Sequence, residues 1–453
     1  MDLHHSPEDE TFRAEARDWL AAHVPRTPLP SLETRDGFAA HRAWEAELYA
    51  DRWSVVSWPE PYGGRGADLV RWLLFEEEYW AAGAPGRVSQ NGISLLAPTL
   101  FDHGTEEQRA RLLPPMASGE VVWAQAWSEP EAGSDLAALR SRAERTAGGW
   151  LLTGQKTWSS RAAFADRAFG IFRTDPEAPK RHQGLTYLMF DLWAPGVTVR
   201  PIGRLDGKPA FAELFLDRVF VPDADVIGEP GDGWRIAMSA TGNERGLTLR
   251  SPGRFLAAAD RLVRLWRASS PPGGTAAGDG PAVRDGVADA DVRDGVAGAG
   301  DPGVREGAAH ANEPGVRQGA AHANEPGVRD RAAGPDEPGV RQGADELAVR
   351  DRVADAVIGA RAYQLFTWAG ASRFAAGGSL GAESSLNKVF WSEYDIALHE
   401  TALDLLRDEG EFADTEWAEG HVFALAGPIY AGTNEIQRDI IAERLLGLPK
   451  GRR

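Results

Sequence analysis

Apolar residues recur at helical spacing through the first 120 residues. Phe12, Ala16, Trp19 and Leu20 fall on one stripe, and Trp72, Leu73, Phe75, Glu76, Tyr79 and Trp80 form another amphipathic stretch. Thr105 followed by Glu106, Glu107 and Gln108 predicts an N-capped helix whose early carboxylates complement the helix dipole. Between these stretches, Trp58-Pro-Glu-Pro-Tyr-Gly-Gly-Arg-Gly reads as a turn-rich loop. The rhythm changes near residue 121. Short apolar or alternating runs follow, at Val121–Trp127, Trp150–Gly154, Ala168–Phe172, Leu185–Phe190, Val197–Val199 and Ala212–Leu216. Gly, Pro and Asp clusters separate them, which is the habit of a small antiparallel barrel or sandwich. From Trp234 helical periodicity returns, at 234–268, 346–376, 383–409 and 416–426. Helices, then strands, then helices predict an α+β chain in three parts rather than an alternating α/β sheet. The expected boundaries are a helical domain at 1–120, a β-barrel at 121–233 and a helical bundle at 234–453.

One segment stands outside this plan. Between residues 269 and 345 the chain is Gly, Ala, Pro, Asp and Arg, and Pro-Gly-Val-Arg recurs after Asp301, Glu313, Glu325 and Glu337, every 12 residues. Each copy offers a core one valine, too little to repay a chain entropy of about 1–2 kcal/mol per residue, so the tract is expected to be a disordered insertion. It resembles the helix start after it, Ala348-Val-Arg-Asp-Arg-Val-Ala-Asp, and slipped duplication explains it better than a metal tract built on His310 and His322.

Composition narrows the function. The 453 residues carry 67 acidic against 49 basic side chains, a net charge of −18, which argues against a nucleic-acid binder. No run approaches the roughly 18–20 apolar residues of a membrane span, and the polar N-terminus lacks the layout of a secretory signal. Zero cysteines leave no disulfide, thiolate metal site or cysteine nucleophile, which fits a cytoplasmic protein.

Two loops offer chemistry. Trp123-Ala-Gln-Ala-Trp-Ser-Glu-Pro-Glu-Ala-Gly-Ser-Asp runs from a strand into a loop whose Ser128, Gly133 and Ser134 present hydroxyls and backbone N–H groups suited to a flat heterocycle or a phosphate. Gly154-Gln-Lys-Thr-Trp-Ser-Ser sets a large aromatic plate, Trp158, beside Ser159 and Ser160. Taken singly, the first is an ordinary polar turn and the second an ordinary core tryptophan.

Together, and in this order, they resemble the acyl-CoA dehydrogenase family of flavoproteins. The resemblance runs from about residue 8 to Leu448, interrupted by the repeats. It rests on Trp58-Pro-Glu-Pro-Tyr-Gly-Gly, His103-Gly-Thr-Glu-Glu-Gln-Arg, Leu113-Pro-Pro-Met-Ala-Ser-Gly-Glu, Ser128-Glu-Pro-Glu-Ala-Gly-Ser-Asp, Gly154-Gln-Lys-Thr-Trp-Ser-Ser, Val219-Phe-Val-Pro, Gly233-Trp and Gly432-Thr-Asn-Glu-Ile-Gln-Arg. It implies a helical domain, a β-barrel, a four-helix bundle and bound FAD. Gln125, Trp127 and Ser128 would face the pyrimidine edge of the flavin, with Trp158, Ser159 and Ser160 beside the ring. Ser134 would lie near cofactor and CoA, and Thr433, Asn434 and Glu435 would close the site from the bundle. No metal is implied.

The resemblance also places the base. Removal of an α-proton and transfer of a β-hydride require a carboxylate, and in many members it directly precedes the Gly-Thr of the C-terminal loop. Here Ala431 stands there. Isovaleryl-CoA and long-chain members instead carry a Glu-Arg pair on the first helix of the C-terminal domain, matched by Glu244-Arg245. Glu244 is therefore the expected base, Arg245 and Ser134 are expected near the substrate, and the Ala431 N–H is expected to polarise the thioester carbonyl. Without the resemblance, Glu244-Arg245 would read as a solvated helical pair. The Arg-x-x-Phe-Gly segment and the Gln-x-x-Gly-Gly-x-Gly helix end of many members are absent, departures that fall on the adenine end of the FAD site and the tetramer contacts. The expected activity is dehydrogenation of an acyl-CoA, with electrons passed to an electron-transferring flavoprotein, in a homo- or hetero-oligomer. The alternatives are an oxygen-using or acyl-carrier-protein-dependent relative, or a non-catalytic subunit.

Overall fold

The computed structural model describes residues 5–244, 251–269, 338–378, 381–407 and 415–450, without the side chains of 240–244 and 338–346. The described residues of 1–269 and 346–453 form one compact unit. The eight strands found among the described residues all belong to this unit.

The N-terminal helices are α1 (Pro7–His23), α2 (Arg35–Ala50), α3 (Leu69–Ala81), α4 (Ala97–His103) and α5 (Glu106–Ala117). Their starts are chemically marked. Ser6 and Asp9 form a capping box on α1, Thr34 and Asp68 cap α2 and α3, and Thr105, the expected N-cap of α5, forms a capping box with Gln108. Ala16 and Leu20 from the first stripe are fully buried, in a core with Trp44, Leu48, Trp53, Phe75 and Tyr79.

Eight strands follow: β1 (Trp123–Ala126), β2 (Arg142–Thr146), β3 (Gly149–Ser160), β4 (Arg167–Arg173), β5 (Leu185–Asp191), β6 (Val197–Ile202), β7 (Phe211–Pro222) and β8 (Val226–Ile227). They pair in the order β6-β7-β3-β2-β4-β5-β8, with β1 parallel to β4. Apolar side chains of β1–β5 and β7, among them Ala126, Ala143, Leu152, Phe172, Phe190 and Leu214, meet in one cluster. The sheet therefore curls, bringing β5 and β7 together although they share no ladder. β2 was not foreseen, because Arg-Ala-Glu-Arg-Thr shows the core only Ala143.

The C-terminal helices are α6 (Gly233–Glu244), α7 (Pro252–Ser269), α8 (Pro338–Ala375), α9 (Glu383–Leu406), and shorter helices at Glu416–Ala424 and Asn434–Ile440. Ile236 and Ala237 of α6 pack with Leu96, Leu100, Tyr187 and Met189, so this helix belongs to a core shared with α4 and the sheet. Phe255, Leu262, Val353, Tyr363, Trp391 and Leu398 form the bundle core of α7, α8 and α9. Helix α8 opens at Pro338, inside the tract expected to be disordered, with proline where a first helical turn tolerates it. The rest of that tract, 270–337, lies outside the described residues. Among the described residues, no helix is long and apolar enough to cross a membrane.

Candidate active site

A buried ion pair joins the two loops singled out in the sequence. Lys156, with no solvent exposure, donates to Glu129 Oε1 at 2.9 Å, to the Ile171 carbonyl at 2.8 Å and to the Trp127 carbonyl at 3.3 Å. Glu129 also accepts from the backbone N–H groups of Arg140 at 2.6 Å and Ser141 at 2.9 Å. Burial opposes both charges. It leaves the Lys156 ammonium below its ordinary range, while Lys156 and the two N–H groups outweigh it at Glu129 and hold that carboxyl low. Next along the strand, the Thr157 N–H donates to the Ser128 carbonyl at 2.9 Å. Gly154 allows the close passage of Ser141, which any side chain there would meet.

A register shift between β3 and β7 follows at Lys156–Ser159. Within it Trp158 takes a positive φ of 58°, and its indole stands 60% exposed, edge-on to Phe211 at 5.8 Å. Gln125, Ser128 and Ser160 are half-buried. Trp127 is buried, and its Nε1 has no protein partner. An open aromatic face beside hydroxyls and an unpaired donor fits a planar heteroaromatic group. Ser134 lies on the exposed loop that follows. Ser159 does not join this ledge. Its side chain is fully buried within the register shift, next to the exposed Trp158.

The C-terminal loop repeats the backbone signature. Ala431 has φ 55°, so a residue that tolerates this conformation poorly stands where the family pattern ends, and Arg161, just past Ser160, has φ 59°. Conformations of this kind persist where surrounding structure imposes them, and they gather at functional sites. Gln437 Nε2 holds the Ala431 carbonyl at 2.8 Å, and Thr433 caps the helix Asn434–Ile440. Asn434 follows in the same loop. Its side chain is buried against α9, accepting from Lys388 Nζ at 2.7 Å and Ser392 at 3.1 Å and donating to Glu393 at 3.1 Å. It braces the loop from below, while Glu435 is exposed.

A cavity of ≈ 660 Å³ opens between the N-terminal helices and α7. Its walls include Trp58, Trp72, Phe75, Trp80 and Phe101 with Glu76, Arg87 and Arg254. Arg254 is anchored on Asp395 at 2.8 Å, and burial is overcome there by Arg254 and His399, which hold the Asp395 carboxyl well below the carboxylate range. None of the ledge residues lines the cavity, but α6 approaches it. Ser239 meets Asp102 at 3.5 Å, and both Asp102 and Ser251 are cavity residues. Glu244 is the last residue of α6 and falls between Ser239 and Ser251 in the sequence; Arg245 lies outside the described residues. The polar wall was not foreseen. Glu76 carried the one available signal, a carboxylate one helical turn from both Trp72 and Trp80, whereas the Arg254–Asp395 pair spans 141 positions and leaves no local pattern.

Models of the acyl-CoA dehydrogenase N-terminal, middle and C-terminal domains match residues 6–120, 124–219 and 328–446. The chain is 33% identical to the acyl-CoA dehydrogenase IpdE1 of Mycolicibacterium smegmatis, across 98% of each. It is 48% identical over 191 residues to the acyl-CoA dehydrogenase FadE34 of Mycobacterium tuberculosis, covering 42% of this chain and 26% of that one. Among solved structures, it matches the ChsE4–ChsE5 complex from Mycobacterium tuberculosis with a TM-score of 0.71 and 25% identity, over 100% of both chains.

Proposed function

The chain belongs to the acyl-CoA dehydrogenase family, oxidoreductases acting on CH–CH groups, and from that premise we propose that it desaturates an acyl-CoA thioester between C2 and C3 with Glu244 as the base. The observation that carries this reading is the course of α6. Its Ser239 lies 3.5 Å from Asp102 in the cavity wall, and Ser251, also in that wall, follows Glu244 closely in the sequence, which supports Glu244 as the base. Ala431 leaves the other family position without a carboxylate.

In this reading Gln125, Trp127, Ser128, Trp158 and Ser160 at the ledge, with Thr433 and Glu435 from the bundle, would hold FAD, and Ser134 would lie toward the CoA. When bound, FAD supplies the acceptor for the β-hydride. The protein's part is to take the α-proton onto a Glu244 carboxylate oxygen. The N–H of Ala431 polarises the thioester carbonyl, lowering the cost of the negative charge that grows as the proton leaves. The buried Lys156–Glu129 pair keeps the ledge carbonyls in place. An electron-transferring flavoprotein would be the electron acceptor in this reading.

Glu244→Gln keeps shape and removes basicity. Flavin reduction by an acyl-CoA, read as bleaching of the visible band, should slow by about 10²–10⁴ while FAD and thioester still bind. Reduction at the wild-type rate would reject Glu244 as the base.

A second reading concerns assembly. Ile358, Leu365, Phe366 and Phe374 of α8 and Leu386 and Phe390 of α9 are exposed, a density of large apolar side chains that marks a contact surface. The match to the ChsE4–ChsE5 complex favours pairing with a second subunit of the same fold. A purified chain that stays monomeric at micromolar concentration, with or without FAD, would exclude self-assembly.

A further inference from the structure

The cavity wall carries polar groups that a hydrocarbon chain cannot satisfy. Glu76 sits on α3 between Trp72 and Trp80, and the Trp80 Nε1 donates to its Oε2 at 3.0 Å. Arg87 lies close enough to act on its charge, and Ser251 stands beside it. Arg87 also donates to the Ser54 carbonyl at 2.8 Å, which brings Ser54 into the same corner. The Ser54 hydroxyl, in a residue only 4% exposed, has no partner. Glu33, 3% exposed, has Oε2 unpartnered while its other oxygen faces Arg161 at 3.6 Å. All these residues line the cavity between the N-terminal helices and α7.

Buried polar atoms are normally paired. Water can pair them while the cavity is empty of substrate. A saturated chain would expel that water and return nothing, whereas an acyl group bearing oxygen would replace it. Burial pushes the carboxyls of Glu76 and Glu33 above the ordinary range, in spite of the Trp80 hydrogen bond and the Arg87 charge at Glu76 and of Arg161 at Glu33. A protonated Glu76 donates to a carbonyl oxygen, and an ionised one accepts from a hydroxyl.

We propose that the cavity selects an acyl group carrying a carbonyl or hydroxyl oxygen beyond the thioester, and that Glu76 and Ser54 make the hydrogen bonds that read this oxygen. This rests on the acyl thioester reading above. The aromatic walls and a volume within the range of ordinary ligand pockets leave room for such a group to be branched or cyclic.

Two matched pairs test it on the FAD-loaded full chain with an artificial electron acceptor: octanoyl-CoA against 7-oxooctanoyl-CoA, and 3-cyclohexylpropanoyl-CoA against 3-(4-oxocyclohexyl)propanoyl-CoA. The oxo member of at least one pair should lead in kcat/KM by about tenfold or more, since sites built to pair an oxygen discriminate against its absence. Glu76→Leu should collapse that ratio toward one, and Glu76→Gln, which still donates and accepts, should retain most of it. Ser54→Ala should lower the ratio by itself, and it decides the matter if Glu76→Leu does not fold. Equal or better use of both plain thioesters overturns the inference and leaves the dehydrogenase reading standing. A chain that binds FAD and oxidises none of the four overturns both.

Discussion

Replacing Lys156 by Met tests the clamp between the two ledge loops. The substitution removes an ammonium with no exposure and leaves Glu129, itself 7% exposed, as a buried carboxylate without its counter-charge. Removing one member of a buried pair costs about 3–5 kcal/mol, against about 0–1 kcal/mol for an exposed pair. Glu129 keeps the N–H groups of Arg140 and Ser141, so the lower half of that range, about 3–4 kcal/mol, is expected. The carbonyls of Trp127 and Ile171 lose a donor as well. Urea unfolding followed by tryptophan fluorescence measures the loss. The double variant Glu129→Gln/Lys156→Met removes both charges, and its amide oxygen still accepts a backbone N–H. It should therefore recover at least about 1 kcal/mol relative to Lys156→Met alone. Bound flavin should report the same event, because the Thr157–Ser128 bond lies next to the clamp. A loss below about 1 kcal/mol, or a double variant no better than the single one, would refute the argument that an uncompensated buried charge is at stake.

Trp158→Ala should leave the unfolding midpoint unchanged, since the indole is 60% exposed, but weaken FAD retention by about 0.5–1.5 kcal/mol, roughly two- to tenfold; equal affinity in a flavin titration would remove Trp158 from the site. Glu76 has a folded pKa above 4.5, so its ionisation works against the folded state, and that penalty grows as pH rises from about 4.5 through the folded value. Glu76→Gln does not titrate, and its melting temperature should gain on the wild type from pH 5 to pH 8; a difference that shrinks over this range would contradict the assignment. Deleting residues 272–335 and closing the gap with a short Gly–Ser linker should preserve folding and FAD content, because the repeats bring almost no apolar surface to a core. A shortened chain that emerges unfolded or without flavin would show that the tract contributes to structure.

What could be read from the residues alone was what single elements express locally. Period 3.6 and period 2 separated helices from strands, and Thr105 followed by Glu106 and Glu107 marked the start of α5. Ala16 and Leu20 were placed in a core by spacing, and the loops at Ser128 and Trp158 were singled out by residue type. Periodicity reports which face of an element is apolar, but it is silent on what that face meets. β2 went unseen because a strand with one inward alanine has no pattern. Ser159 and Asn434 were read by their place in a motif, and packing buries both side chains, one inside the β3–β7 register shift and the other onto Lys388. The cavity belongs wholly to the tertiary structure. Glu33, Ser54, Glu76 and Arg254 sit on separate segments, and only their approach in space leaves carboxyls desolvated and a hydroxyl unpaired. Desolvation and pairing depend on neighbours that the chain order does not adjoin, which is why the elements were legible in the sequence and the polarity of the cavity was not.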